Sequence, residues 1–506
     1  MKTKKSFAGS NLLILLVMIA CLLGYFQQAR AQQVVYPTNN YLVDPGAVQD
    51  AVSLGGSVLL KATNLNGTPT PFNFGEPVTW ASAGNVFNNT RRVLITKDVK
   101  IIGEKDNNGN PLTKINGGVL SFFSPLAASY PAPDITIEGI HFDGAFYAPI
   151  LIRYASGLEI VGNRIENVHP FAVYSFPPNS PPVPVTFTDP IDGLSHHLRI
   201  QQGISIGSPF AGYVTGALTG IIEISDNVMD LTIDSNVYNR PILPHSPRNT
   251  FGEGIFAGFT TGASIVISGN YVRNCSRNQI EVFDNYLGLD GQGFVLIEGN
   301  TLITPQDGIA FPAAFCPNGI VAGWVMNPSA ANDSAKNPKY TISHNYIENL
   351  SVRRGFGLYA SSEGAVIQNN EIVVRGNSSN PGSSGLPLNR GLSIQSDWCY
   401  VGQNSLAGEG EYAMAFTANP TDLTASNNVC VGNNINKFNP NEVGAHLYFS
   451  PGANNNTVVG GHGKVIDLGT NNTFKGHYRD LTGSHLTTPG GVGDEISFIK
   501  DWWILP

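Results

Sequence analysis

The sequence predicts an all-β repeat fold, a β-solenoid, on three observations. A short phrase, apolar-x-apolar-x-x-Asn-x-apolar, returns along the middle of the chain. A second phrase, small-apolar-x-apolar, follows it in most copies. The composition also suits short strands joined by many turns: of 506 residues 56 are Gly, 33 Pro and 50 Asn, and only 13% are charged. Soluble domains usually carry about 25% charged residues, and a helical bundle would need them on its surface. Gly and Asn instead tolerate the positive φ of tight turns. A hydrophobic share of 42% keeps the chain globular. The net charge of −8, with no Lys/Arg clusters, argues against a nucleic-acid partner. Length alone would suggest about three domains; a repeat replaces them with one elongated unit.

The first segment stands apart from the fold. Lys2, Lys4 and Lys5 form a basic start, Leu12 to Phe26 an apolar stretch, and Ala29-Arg30-Ala31 a small-x-small end. This is the tripartite pattern of a secretory signal peptide, residues 1–31, cleaved after Ala31 to leave a secreted or periplasmic chain. The apolar stretch is short for a membrane span of about 20 residues, and no later stretch approaches that length. A rival reading, lipid anchoring at Cys21 in Met18-Ile19-Ala20-Cys21, fits less well because Leu22 and Leu23 continue the apolar run.

The Asn phrase occurs at LEIVGNRI (Asn163), IEISDNVM (Asn227), IVISGNYV (Asn270), VLIEGNTL (Asn300) and YTISHNYI (Asn345). It continues at AVIQNNEI (Asn370), CYVGQNSL (Asn404), LTASNNVC (Asn428) and, weakly, PGANNNTV (Asn456). Successive gaps are 64, 43, 30, 45, 25, 34, 24 and 28 residues, so the bare repeat is near 24 and larger gaps hold insertions. Alternation on both sides of the Asn reads as two short strands meeting at a corner. Such strands bury nothing alone and need the coils above and below. Asn at the corner is expected to take the left-handed conformation and to bond its counterpart in the next coil, as in an amide ladder.

The second phrase gives GISI (Gly203), GIFA (Gly254), GIAF (Gly308), GLYA (Gly357), GLSI (Gly391) and AMAF (Ala413). Its x residues should point outward, giving a vertical stripe on the surface: Ser205, Phe256, Glu281, Ala310, Tyr359, Ser393 and Ala415.

These GN-x-I corners and G-I-x-I strands resemble the repeat of the right-handed parallel β-helix, or pectin-lyase-like, proteins. The N-terminal part is similar too: DPGAVQDAVSLGGSVLLKAT from Asp44, VLITKDVKIIGE from Val93, then TKINGG. The resemblance implies a single-stranded right-handed parallel β-helix over residues 32–478. Its amphipathic capping helix would run from about Ala47 to Val52, with the cap and irregular first coils over 44–133 and regular coils over 134–478. The tail, residues 479–506, with Phe498, Trp502 and Trp503, would cover the last coil's open edge. Fold does not imply function. The resemblance points to an extracellular polysaccharide as partner, with a polysaccharide lyase or glycoside hydrolase as the leading reading. A non-catalytic glycan-binding or adhesive surface protein is the alternative, and a monomer is expected.

Candidate site residues come from the middle coils, where charge gathers beside the stripe. Arg277, Asp307, Arg353 and Arg354 follow the corner Asn by seven to nine residues, with Arg390 and Asp397 on the next coil. His245 and Arg248 stand in an insertion. A lyase needs cations to neutralise the sugar carboxylate and a base, roles that Arg277 or Arg354 and Tyr359 could fill. A hydrolase needs two carboxyl groups, for which Glu281 and Asp307 are placed on adjacent coils. Arg277, Arg353, Arg354, Arg390, Asp397, His245, Arg248 and Phe256 are the expected substrate contacts, and Glu281, Asp307 and Tyr359 the expected catalytic groups. No cofactor is evident, and calcium has no supporting motif, since the Asp-rich site of pectate lyases is missing. Cys275, Cys316, Cys399 and Cys430 show no zinc spacing, and Cys399 and Cys430 fall on inward positions as buried thiols. Gly461-His462-Gly463 reads as a Gly-flanked His in a β-turn, and Asp189, Asp192, His196 and His197 as solvated loop residues.

Overall fold

The computed structural model describes residues 32–486 apart from 76–91, 127–129, 169–185, 190, 192, 194, 198–199, 208–217, 232–250, 259, 276, 284, 286–292, 305–316, 325–338, 351–354, 376–388 and 419–423. The chain is a right-handed parallel β-helix whose coils have three faces. One coil shows the plan: Ser264–Ser268 on the first face, Tyr271–Arg273 on the second and Asn278–Phe283 on the third. Each pairs in parallel with its counterparts in the coils above and below. The first face runs unbroken from Gln33–Val35 to Thr473–Arg479. Alternation places Ile265 and Ile267, then Val272, then Ile280 and Val282 inward, into one hydrophobic cluster that extends along the whole solenoid.

The corner between the first and second faces works differently from expectation. The left-handed residue is the one before the Asn: Gly162, Asp226, Gly269, Gly299, His344, Asn369, Gln403 and Gly432 all have φ between 55° and 65°. The Asn itself turns its amide inward. Asn163, Asn227, Asn270, Asn300, Asn345, Asn370 and Asn404 each donate their side-chain amide to the next Asn carbonyl at 2.9–3.1 Å. Each also donates its backbone N–H to the same oxygen.

This ladder ends on Asn433, 29 residues after Asn404, and does not pass through Asn428. Asn428 and Asn456 belong to a second ladder at the opposite end of the first-face strands. There Cys399 N–H donates to Asn428, Asn428 to Asn456 and Asn456 to Asn472. The shortest step in the first ladder is therefore 25 residues, and the gap of 24 measured from one corner to another.

The helix predicted from Ala47 to Val52 spans Asp44–Leu54 and buries Val48, Ala51 and Val52 against the first coil. Asp44, fully buried, fastens it: its carboxylate accepts from Thr38 N–H and Oγ1 and from Asn73 N–H at 2.7–2.8 Å. At the other end Phe474 packs edge-on to Phe449, and Tyr478 donates to the carbonyl of Gly460. Phe498, Trp502 and Trp503, expected to cover that end, lie outside the described residues, as do residues 1–31, expected to be a signal peptide, and Cys316. Cys275, Cys399 and Cys430 are buried thiols of the core, Cys399 and Cys430 as their inward positions imply. Among the described residues no helix is long and apolar enough to cross a membrane.

Candidate functional site

The third face bends at a small residue, and that bend builds the site. A Cβ added at Gly254 would lie 2.3 Å from Val272 Cγ1, and one at Gly357 2.3 Å from Ile372 Cγ2. At these two positions a side chain would collide with the second face; the same place holds Gln279 in the coil of Glu281 and Ala413 further on. The residues flanking each bend form two outward columns. One contains Leu151, Ser205, Phe256, Glu281, Val321, Tyr359, Ser393, Ala415 and Tyr448. This is the predicted stripe with one correction: Val321 of Asn318–Trp324 takes the place assigned to Ala310, which lies outside the described residues. The other column, three residues earlier, contains Gln202, Glu253, Asn278 and Asn318 in consecutive coils.

The stripe is outward in register but is not an exposed surface: Ser205, Phe256, Glu281 and Ser393 are at most 1% accessible. The bend brings the two columns into contact. Asn278 Nδ2 donates to Glu281 Oε2 at 2.6 Å, and the rings of Phe356 and Tyr359 lie 5.4 Å apart.

Two glutamates meet there. Glu253 and Glu281 are both buried, and Arg277 reaches each, with Nη1 3.1 Å from Glu253 and Nη2 3.6 Å from Glu281. Gln202 Nε2 donates to Glu253 Oε2 at 2.5 Å, and Asn318 orients Asn278 at 2.7 Å. Burial holds the Glu253 carboxyl well above the usual carboxylate range. The charge of Glu281 and a hydrogen bond with its carboxyl push the same way, and Arg277 and Gln202 only partly offset them. Burial and the neighbouring acid therefore both favour the form in which Glu253 keeps its proton. The arrangement can donate that proton to an oxygen and hold positive charge beside the remaining carboxylate.

Of the predicted groups, Glu281 and Arg277 are brought together, with Glu253 as the carboxyl partner. Asp307, proposed for that part, lies outside the described residues, as do Arg353, Arg354, His245 and Arg248. Phe256 is buried edge-on against Phe283 at 5.1 Å. Tyr359 donates its hydroxyl to Gln395 Oε1 at 2.6 Å, and burial pushes the phenol up to about 12, a poor position for a base. Arg390 lies between the rings of Phe356 and Tyr412 and bonds Glu411 at 3.0 Å, three coils beyond Asn278. Asp397 spends both oxygens on the next coil, accepting from Ser426 N–H and Thr424 Oγ1.

Two readings of bland residues also change. Asp189 is not solvated: it is fully buried and accepts both guanidinium nitrogens of Arg92, at 2.6 and 3.0 Å. His462 is exposed within the long, bulged strand Thr457–Asp467, outside any tight turn. Among the described residues no three His, Cys, Asp or Glu side chains could hold a metal together.

The site and the fold define a parallel β-helix carrying a buried acid pair on its third face. No protein-family model matches the chain, and no curated protein does. Solved structures do. The A-module of mannuronan C-5 epimerase AlgE6 from Azotobacter vinelandii is similar at 11% identity and a TM-score of 0.36, over 90% of this chain and 97% of that one. PfbA, a surface adhesin of Streptococcus pneumoniae, is similar at 13% identity and 0.39, over 82% and 91%. DFA-IIIase from Arthrobacter chlorophenolicus A6 is similar at 11% identity and 0.37, over 92% and 88%.

Proposed function

We propose that this protein is an exported enzyme that cleaves glycosidic bonds of an extracellular polysaccharide by acid–base chemistry at Glu253 and Glu281. The observation carrying the reading is the buried pair itself, two carboxyls sharing one guanidinium, with burial favouring the protonated form of Glu253. In this reading Glu253 donates its proton to the leaving oxygen. Glu281, fixed by Asn278 and Arg277, supplies the carboxylate that stabilises or attacks the sugar. Contacting carboxyls are nearer the ~5 Å spacing of retaining pairs than the ~6.5–9.5 Å gap of inverting ones. The lyase variant has less support, because Tyr359 is the base it needs and its proton is held tightly. Export follows from the tripartite pattern of residues 1–31.

The test is incubation of the mature chain with neutral and uronate-containing glycans. New reducing ends without ultraviolet-absorbing unsaturated ends are expected, and Glu253→Gln should abolish them while the circular dichroism spectrum is unchanged. Unsaturated ends would replace hydrolysis with elimination. A second reading, a non-catalytic glycan binder, is favoured by the near-complete burial of the pair; binding without any cleavage would establish it.

A further inference from the structure

Beside the acid pair, one coil toward the N-terminus, two buried polar atoms find no hydrogen-bond partner among the described residues: Gln202 Oε1 and Ser205 Oγ. Both residues are fully buried. They are three apart on one strand and flank the bend at Gly203. They therefore occupy the same two columns as Asn278 and Glu281, which meet across their own bend at 2.6 Å. Leaving a buried polar atom unpaired costs about 1–3 kcal/mol, and such atoms in native structures call for a partner.

The chemistry of the two atoms limits what that partner is. Gln202 Nε2 is committed to Glu253, so the amide presents its oxygen on the other side, and Oε1 requires a donor. A carboxylate or phosphate has none to give; a hydroxyl has one, and can also accept from Ser205. Arg277, the cation bonded to Glu253, is already shared by two carboxyls. Leu151 and Phe256 flank Ser205 in the coils on either side, both buried. Apolar walls around a few convergent polar atoms are the usual make-up of a small-molecule site. Arg277, with its side chain 26% accessible, marks the side open to solvent.

We propose that Gln202 and Ser205, together with Glu253, form a subsite for the hydroxyl of a neutral sugar, so that the glycan carries an uncharged unit at this position. The proposal rests on reading the acid pair as a glycan site and names the class of sugar it takes.

Binding of cellohexaose, xylohexaose, nystose and hexagalacturonate to the mature full-length chain is measured by calorimetry, and cleavage of the same sugars separately by reducing ends. At least one neutral oligosaccharide should bind. Ser205→Ala should weaken it about 3- to 10-fold, as expected for one neutral hydrogen bond, and leave the melting temperature of the sugar-free protein unchanged or raised. Ser205→Gly offers a second removal of the hydroxyl if the first variant folds poorly. Binding of hexagalacturonate alone, or of no neutral sugar, overturns the proposal. So does an unchanged affinity in both variants, including the case in which the sugar-free protein loses several degrees of stability because the hydroxyl holds a structural water. Weakened binding in a protein that never cleaves keeps the subsite and ends the hydrolase reading; cleavage with unaltered affinity does the reverse.

Discussion

Removing one rung of the asparagine ladder gives a measurable local loss. Asn300 is fully buried. Its Oδ1 accepts from Asn270 N–H at 3.0 Å and from Asn270 Nδ2 at 2.9 Å. Its Nδ2 donates to the Ile267 carbonyl and to Asn345 Oδ1, each at 2.9 Å. Asn300→Ala leaves the Asn270 N–H without its acceptor and takes a donor from Ile267. At about 1–3 kcal/mol for each of the two stranded buried groups, the expected cost is about 2–6 kcal/mol. Asn66, exposed in a loop, is the control, and its alanine variant should stay within about 0.5 kcal/mol. Solenoids unfold as coupled neighbours rather than as one unit. Hydrogen exchange should therefore be read coil by coil alongside denaturant melts, with lost protection centred on the coils of Asn270, Asn300 and Asn345.

Asn300→Asp adds a sign to the argument. An ionised carboxylate there would face the Ile267 carbonyl and Asn345 Oδ1 with no proton to offer, so its folded pKa rises above the unfolded value. The penalty is then absent below the unfolded carboxyl range and grows as pH rises through the folded value, so the variant should recover on acidification. If Asn300→Ala costs no more than Asn66→Ala, or if the aspartate variant is indifferent to pH, the ladder is not what holds the coils.

Three further perturbations test other parts of the molecule. Glu253 has a raised folded pKa, so its contribution is fully present below the unfolded carboxyl value and is lost as pH rises through the folded one. Urea melts of the mature chain should weaken as pH rises above the unfolded carboxyl value, by at most about 1.4 kcal/mol per pH unit from this group, and Glu253→Gln should flatten that slope. Arg92→Ala strands the buried Asp189 carboxylate and should cost about 3–5 kcal/mol, much of it recovered in Arg92→Ala/Asp189→Ala; no recovery would show that packing rather than charge is at stake. Gly357→Val places a Cβ 2.3 Å from Ile372 Cγ2 and should destabilise by about 1–3 kcal/mol through overpacking; an unaffected thermal midpoint would mean the two faces can part there.

The sequence carried the solenoid because its corner chemistry repeats. One buried Asn per coil is enough to mark the period even when insertions stretch it from 25 to 64 residues. The same economy misled the reading at LTASNNVCVGNNIN. Two Asn pairs stand six residues apart there, and Asn428 fits the phrase in full, whereas Asn433 has Asn428 in its first apolar position. Only the hydrogen bonds tell that Asn433 continues the first ladder while Asn428 begins another. A similar ambiguity put Ala310 in the stripe: GIAF and GIVA match the same phrase eleven residues apart, and strand pairing selects the second.

The acid pair was half hidden for a physical reason. Alternation along a straight strand puts Glu281 on the outward side, and a reading by alternation finds it. Glu253 belongs to the residue before the bend, where the strand turns and period two no longer tells in from out. Its partner is therefore on a different column as well as a different coil, a relation no one-dimensional spacing encodes. The composition still points the way once the bend is known. In a chain with so few charges, an acid set directly before the glycine of Gly254-Ile255-Phe256-Ala257 occupies a place filled in the adjacent coils by Gln202, Asn278 and Asn318. Those neutral polar groups fill the notch without a charge. A carboxyl there adds nothing to the ladder that an amide would not, and it carries the cost of burial. That cost favours the protonated form of Glu253, the form that the proposed reaction uses.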